Sequence, residues 1–209
     1  VEAWMRDGKV DEVRRTPLPG IFEVRVGQDL IYVDEKARFA FIEGNLVELK
    51  TNRNLTRERT EELLSINFSK DLPLNLALKQ VIGTGKRVVA VFEDANCGYC
   101  KKMRAELVQM KDVTVYTFPV AILSPDSEVK AKKALCASDR NRAWNDLMLG
   151  NKVADNAGNC ETSLAKVQEL AARLGVRATP TVFFMSGKRL QGYVPGPQFE
   201  KMLDENSKS

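Results

Sequence analysis

Arg87-Val-Val-Ala-Val-Phe-Glu-Asp-Ala-Asn-Cys-Gly-Tyr-Cys-Lys-Lys-Met103 is the stretch from which the rest of the chain is read. Its first half, Arg87 to Glu93, is a run of β-branched and aromatic residues. The run is too short for a membrane span and dense enough for a strand buried on both faces. Its second half opens a helix. Cys97 falls at the turn between them, so its sulfur meets the positive end of the helix dipole and unpaired backbone N–H groups that stabilise a thiolate. Cys100 follows one turn later on the same face, near enough to close a small disulfide with it. The pair reads as a redox couple in which the outer thiolate attacks and the inner thiol resolves the mixed disulfide.

Cys-x-x-Cys is also half of many zinc sites. Zinc needs two further ligands, and the chain offers no histidine and two other cysteines, Cys136 and Cys160, which form no second Cys-x-x-Cys. A purely structural disulfide is the other alternative. Against it, so short a loop immobilises little chain, and these cysteines sit at a helix start after a buried strand. No metal and no cofactor are expected. The lack of histidine also excludes Ser-His-Asp and Cys-His hydrolases and haem attachment as usually built.

At 209 residues the chain has room for one large domain or two small ones, and its composition is that of a soluble globular protein. No apolar run approaches membrane length, so no membrane insertion is expected. The numbering begins at Val1 rather than Met, which suggests a processed or trimmed product. Four cysteines fit an oxidising compartment better than a reducing cytosol. Net charge is +4, with 11 Lys+Arg against 13 Asp+Glu before Ile66 and 21 against 15 from there on. The basic excess of the second part is interleaved with acids and few aromatics. It reads as a solvated face, and no nucleic-acid partner is expected.

Taken in order, Val1 to Val13 has loose helical patterning through Trp4, Met5, Val10 and Val13, stopped by Thr16-Pro-Leu-Pro-Gly20. An antiparallel meander of about four strands is expected next: Phe22 to Val26, Leu30 to Val33, Phe39 to Phe41 and, after the turn Glu43-Gly44-Asn45, Leu46 to Leu49. So small a sheet is marginal alone, and its edge and apolar face call for a partner. Asn54 to Ile66 reads as a polar spacer helix with a narrow strip at Leu63 and Leu64. Leu74, Ala77, Leu78, Val81 and Ile82 read as a short amphipathic helix ending at Gly83-Thr-Gly85. After the helix that opens at Cys97 and runs to about Met110, Val113 to Phe118 is a second buried strand, parallel to the first through a right-handed crossover. Helices follow from Pro125 to Cys136, Asn141 to Leu149 and Thr162 to Leu174. Thr181 to Met185 and a strand through Tyr193 form a hairpin, and Gln198 to Asn206 closes the chain as a helix.

Together, Cys97-Gly-Tyr-Cys100 at a strand-to-helix junction, an inserted helical region, and Thr179-Pro180 before a closing hairpin and helix resemble a thioredoxin fold. The whole length resembles the bacterial periplasmic disulfide isomerases of the DsbC/DsbG type. Phe92-Glu-Asp-Ala-Asn-Cys-Gly-Tyr-Cys and Gly192-Tyr193 are similar to their counterparts there. The resemblance implies an α+β chain in three parts. Residues 1–54 would form a small β-rich, cystatin-like dimerisation domain, 55–71 a helical linker, and 72–209 a thioredoxin-like catalytic domain with a helical insertion. It implies an enzyme, a periplasmic thiol:disulfide interchange protein that isomerises or reduces non-native disulfides. Its partners would be misfolded or unfolded disulfide-containing proteins, a second copy of the chain, and a membrane thiol reductant of the DsbD kind as electron donor. The alternatives are a chaperone-like dimeric binder of unfolded proteins and a dedicated thiol oxidase or reductase.

Carried over by position, the resemblance makes Cys97 the nucleophile and Cys100 the resolving thiol. It places Tyr99, Thr179 and Pro180 on the substrate side, with the Thr179-Pro180 bond cis and its loop facing Cys97. The backbone of such a loop can pair with an extended substrate segment. It also makes Cys136 and Cys160 a structural disulfide, which would contribute roughly 3 to 4 kcal/mol by loop closure. The chain departs from the thioredoxin pattern six residues before Cys97, where Val91 replaces a buried acid. Glu93 and Asp94 are then read as the polar end of the strand, with a role as proton acceptor as the alternative.

Overall fold

The computed structural model describes Glu2 and residues 9–207, which divide into two compact units, Val1–Ser65 and Ile66–Ser209. In the first unit, β1 (Glu12–Arg15), β2 (Ile21–Val26), β3 (Asp29–Asp34) and β4 (Ala40–Phe41) form an antiparallel meander in chain order. Gly27 takes the left-handed conformation in the two-residue turn between β2 and β3, where a side chain would be strained. Val24, Ile31 and Val33 form its buried core.

Two expectations change here. Val13, assigned to a leading helix, lies in β1, where pairing with β2 satisfies backbone groups that would otherwise line an open edge. Trp4 and Met5 of that expected helix lie outside the described residues. The fourth strand is also not Leu46 to Leu49. Val47–Glu48 (β5) pairs with Arg53–Asn54 (β6) in a separate small hairpin.

Helix α1 (Leu55–Leu63) begins at Asn54, whose side chain accepts the Arg57 N–H at 2.9 Å. It is tied into the first unit by polar contacts. Arg59 is ion-paired with Glu12 at 2.6 Å and Glu23 at 3.3 Å, and the Thr56 and Tyr32 hydroxyls meet at 2.5 Å.

In the second unit, α2 (Phe68–Asp71) is capped by Asn67 and buries Phe68. A 3₁₀ turn at Leu74–Leu76 leads into β7 (Leu78–Ile82). With β8 (Arg87–Asp94), β9 (Val113–Val120), β10 (Thr181–Phe184) and β11 (Arg189–Gln191) it forms a sheet of order β11-β10-β8-β9-β7. Only the β8 and β9 pair is parallel, joined by α3 (Gly98–Leu107) as the patterning predicts. Of the expected helix over Leu74 to Ile82, Leu74–Leu76 is the 3₁₀ turn and Leu78–Ile82 is this edge strand. Its apolar residues fit a period of 3.6 as well as they fit a strand, and the antiparallel ladder to β9 decides the matter. The consequence is that Val81 faces outward, 54% exposed.

Residues of β8 alternate between two core layers. Ala90 and Phe92 join Phe118 and the inward face of α6 (Leu164–Arg173), while Val89 and Val91 join Met103 and Leu107 of α3 and Phe199 and Leu203 of α7 (Gly196–Glu205). Helices α4 (Pro125–Leu135) and α5 (Arg140–Gly150) are inserted after β9 and form a third layer around Trp144, Leu147 and Met148, which reaches Cys97 and Cys100. Ser124 and Asp139 cap these helices through their side chains. The core therefore converges on the carboxyl end of β8, where the two thiols sit.

Candidate active site

Strand β8 ends at Asp94, and a turn closed by the Cys97 N–H to the Asp94 carbonyl at 3.1 Å delivers Cys97 to the start of α3. Cys97 is itself the capping residue. Its sulfur accepts the Cys100 N–H at 3.1 Å, the place a serine or asparagine oxygen takes at an ordinary helix start. As a thiol, it donates to the Thr179 carbonyl at 3.3 Å. Thr179-Pro180 is a cis peptide, and its loop lies against the reactive sulfur.

The two cysteines are free and unequal. Cys97 keeps 6% exposure and Cys100 none. The hydrogen bond from the Cys100 thiol does most to pull the Cys97 pKa down from 9.0 to about 6. The backbone N–H groups of Cys100 and Tyr99 add to it, while partial burial opposes it. Burial pushes the Cys100 thiol the other way, reinforced by Cys97 and by the charge of Glu93. One sulfur is thus poised as a thiolate and its neighbour as a proton-bearing thiol.

Glu93 and Asp94 are the polar end of β8, and both are fully buried. One Glu93 oxygen, Oε2, accepts from Arg104 Nη2 and from Trp144 Nε1, the latter at 2.8 Å, while Oε1 has no hydrogen-bond partner among the described residues. Arg104 also donates to Thr117 at 2.6 Å. Asp94 accepts four bonds. They come from the Asn96 N–H and the Ser127 hydroxyl on one oxygen, and from the Ile122 and Leu123 N–H groups on the other. Both side chains brace the turn that carries Cys97. A sequence signal for the first was present: Arg104 stands four residues after Cys100 on the inward face of α3, and a buried guanidinium requires an acid.

Tyr99 stands out from the helix start, 61% exposed, with its ring stacked on Tyr193 at 6.3 Å between centres. Tyr193, quoted above for its likeness alone, is one of the site residues sequence reasoning gave no role. Away from the thiol pair, Cys136 and Cys160 are bridged, with 5.7 Å between Cα atoms, tying the end of α4 to the loop before α6. Among the described residues there is no cluster of three or more metal-ligating side chains, and no helix is long and apolar enough to cross a membrane.

Comparison with known proteins agrees with this geometry. Residues 74–207 match the thioredoxin-like domain, and residues 2–57 match the N-terminal domain of the disulfide bond isomerase proteins. The probable thiol:disulfide interchange protein DsbC of Bordetella pertussis is 47% identical over 194 residues, covering 93% of this chain and 68% of that one. The thiol:disulfide interchange protein DsbC of Escherichia coli is 27% identical over 205 residues, covering 96% and 84%. Among solved structures, a disulfide interchange protein from Neisseria gonorrhoeae superposes with a TM-score of 0.63 at 38% identity, covering 66% of this chain and all of that one. A free Cys-x-x-Cys at the head of α3 in a thioredoxin-like sheet, preceded in sequence by a matching N-terminal domain, completes the case: the chain belongs to the DsbC family of thiol:disulfide interchange proteins.

Proposed function

We propose that Cys97 is the attacking group and Cys100 the resolving group in exchange with non-native disulfides of periplasmic proteins. The observation that carries this is the placement of the two free sulfurs: Cys97 at the start of α3, 6% exposed and accepting the Cys100 N–H, and Cys100 fully buried behind it. This arrangement lowers the Cys97 pKa to about 6 and raises that of Cys100. The Cys97 thiolate forms a bond to one substrate sulfur and releases the other as a thiolate, leaving a mixed disulfide. If the released substrate thiolate, or another in the same chain, attacks the mixed disulfide, Cys97 leaves and the substrate is isomerised. If Cys100 loses its proton and attacks Cys97 instead, the substrate is reduced by two electrons and the Cys97–Cys100 disulfide remains. A membrane thiol reductant of the DsbD kind would then restore both thiols. The backbone of the Thr179-Pro180 loop, adjacent to Cys97, offers pairing to an extended substrate segment, and Tyr99 offers its exposed ring.

Residues 1–54 serve in this reading as a dimerisation domain, 55–71 as the connection, and 72–209 as the catalytic domain. Two features of the first unit support it. Among the described residues, strands β1 and β4 are the unpaired edges of the sheet, and Phe39 and Phe41 are exposed at 70% and 62%. The test is refolding of scrambled ribonuclease beside reduction of insulin. The full chain should do both, and Cys97→Ser should do neither. Ribonuclease recovery undiminished in Cys97→Ser would overturn the role of the thiolate and favour a chaperone-like binder.

A further inference from the structure

Beside the reactive sulfur stands a ring that is exposed and yet held. Tyr99 owes its position to two neighbours: the Tyr193 ring, stacked on it with 24° between the planes, and the Lys102 ammonium, 5.4 Å from its centre. Tyr193 in turn is rooted in the fold. It packs against the core layer of Met103 and Phe199, and its hydroxyl donates to Glu106 at 3.1 Å. The residue before it, Gly192, donates its N–H to the Pro180 carbonyl at 2.8 Å. The other Glu106 oxygen fills the space where a side chain at Gly196 would begin, at the positive end of α7. Helices α3 and α7 and the proline loop therefore meet at Tyr193, and Tyr193 meets Tyr99.

An aromatic surface immobilised before any partner arrives binds without the entropy cost of ordering it afterwards. We propose that Tyr99 and Tyr193 form a preformed platform for a large apolar side chain flanking the cysteine of the substrate disulfide. Tyr99 is the contact and Tyr193 the positioning residue. The proposal rests on the reading of Cys97 as the attacking thiolate, one residue before Gly98 and two before the platform. Charge narrows the preference. Charge at the Lys102 ammonium, 5.4 Å from the Tyr99 ring centre, repels a basic flanking residue, while a phenyl or branched aliphatic group gains contact with the exposed Tyr99 ring.

The test uses the reduced full-length protein and oxidised peptide pairs Gly-X-Cys-Gly, with X as phenylalanine, serine or lysine, followed to saturation by stopped flow. The phenylalanine pair should show the lowest half-saturating concentration and the lysine pair the highest, with similar maximal rates. Tyr99→Ala and Tyr193→Ala should each raise the phenylalanine value roughly three- to tenfold more than the serine value. Because Tyr193 acts through Tyr99, the double variant should lose no more than Tyr99→Ala alone. Tyr193→Phe keeps the ring and should retain most of the preference. If Tyr193→Ala does not fold, Tyr99→Ala, an exposed change, decides alone. Equal half-saturation for all three peptides in the parent protein, or equal losses on phenylalanine and serine pairs, would overturn the platform. No reduction of any pair by the parent protein would overturn the thiolate assignment beneath it.

Discussion

At Cys97 one proton decides reactivity. A thiol that ionises near pH 6 is about nine-tenths thiolate at pH 7, whereas an ordinary one is mostly protonated. With Cys100 held protonated by its burial, limiting iodoacetamide should label Cys97 first, with a rate that rises to a midpoint near pH 6. A midpoint near 9 would show that the Cys100 thiol and the backbone N–H groups do not hold the anion. The same shift enters stability. Between about pH 6 and pH 9 the unfolded chain binds a proton at Cys97 that the folded, reduced protein does not. Stability from this group is therefore fully present above about pH 9 and is lost as pH falls through about 6. Relative to Cys97→Ser, the urea midpoint of the reduced protein should climb across that window. Glu93 and Arg104 make a different residue-scale prediction. Glu93→Leu leaves a buried guanidinium unpaired and should cost about 3 to 5 kcal/mol, while Glu93→Leu with Arg104→Met should recover most of it. Equal losses in the single and double variants, measured by urea unfolding, would show that the uncompensated charge is not the cause.

Among the elements, those set by local information were legible in the sequence. Strand β8 and helix α3 could be read from residues 87–103 because buried faces, turn and helix start all lie within one stretch. Helices α4 and α5 follow from their caps at Ser124 and Asp139. Strand β7 was misread because its partner, β9, lies about 30 residues on and supplies the ladder no local period reveals. The burial of Glu93 and Asp94 was missed for the same reason, since Arg104, Trp144 and Ser127 come from three separate helices. The thiol pair and Thr179-Pro180 were named from motif and likeness, whereas Tyr193 and Glu106 needed the packing of α3 against α7. The inserted helices carry their own prediction. The Cys136–Cys160 bridge spans 24 positions around α5, so replacing both cysteines with alanine should lower stability by about 3 to 4 kcal/mol. Cys97 labelling at pH 7 should not change, and a loss of both together would tie the insertion to the thiolate.

For the whole molecule, the dimer proposed above would determine whether exchange becomes isomerisation. Two linked chains raise the effective concentration of a thiolate near a bound, misfolded substrate. Protein lacking residues 1–65 should sediment as a monomer, keep insulin reduction and lose most ribonuclease refolding. A full-length monomer at micromolar concentration, or a truncated protein that isomerises as well, would remove the dimer from the mechanism. The thiolate at the head of α3 has one further consequence, for how the molecule moves in an electric field. No histidine titrates near neutrality, and the formal net charge of +4 counts Cys97 as neutral. At pH 7 the reduced protein therefore carries about +3 and the oxidised protein +4, because a disulfide holds no proton to lose. Native electrophoresis at neutral pH should separate the two forms without any label, and below about pH 5 their mobilities should merge.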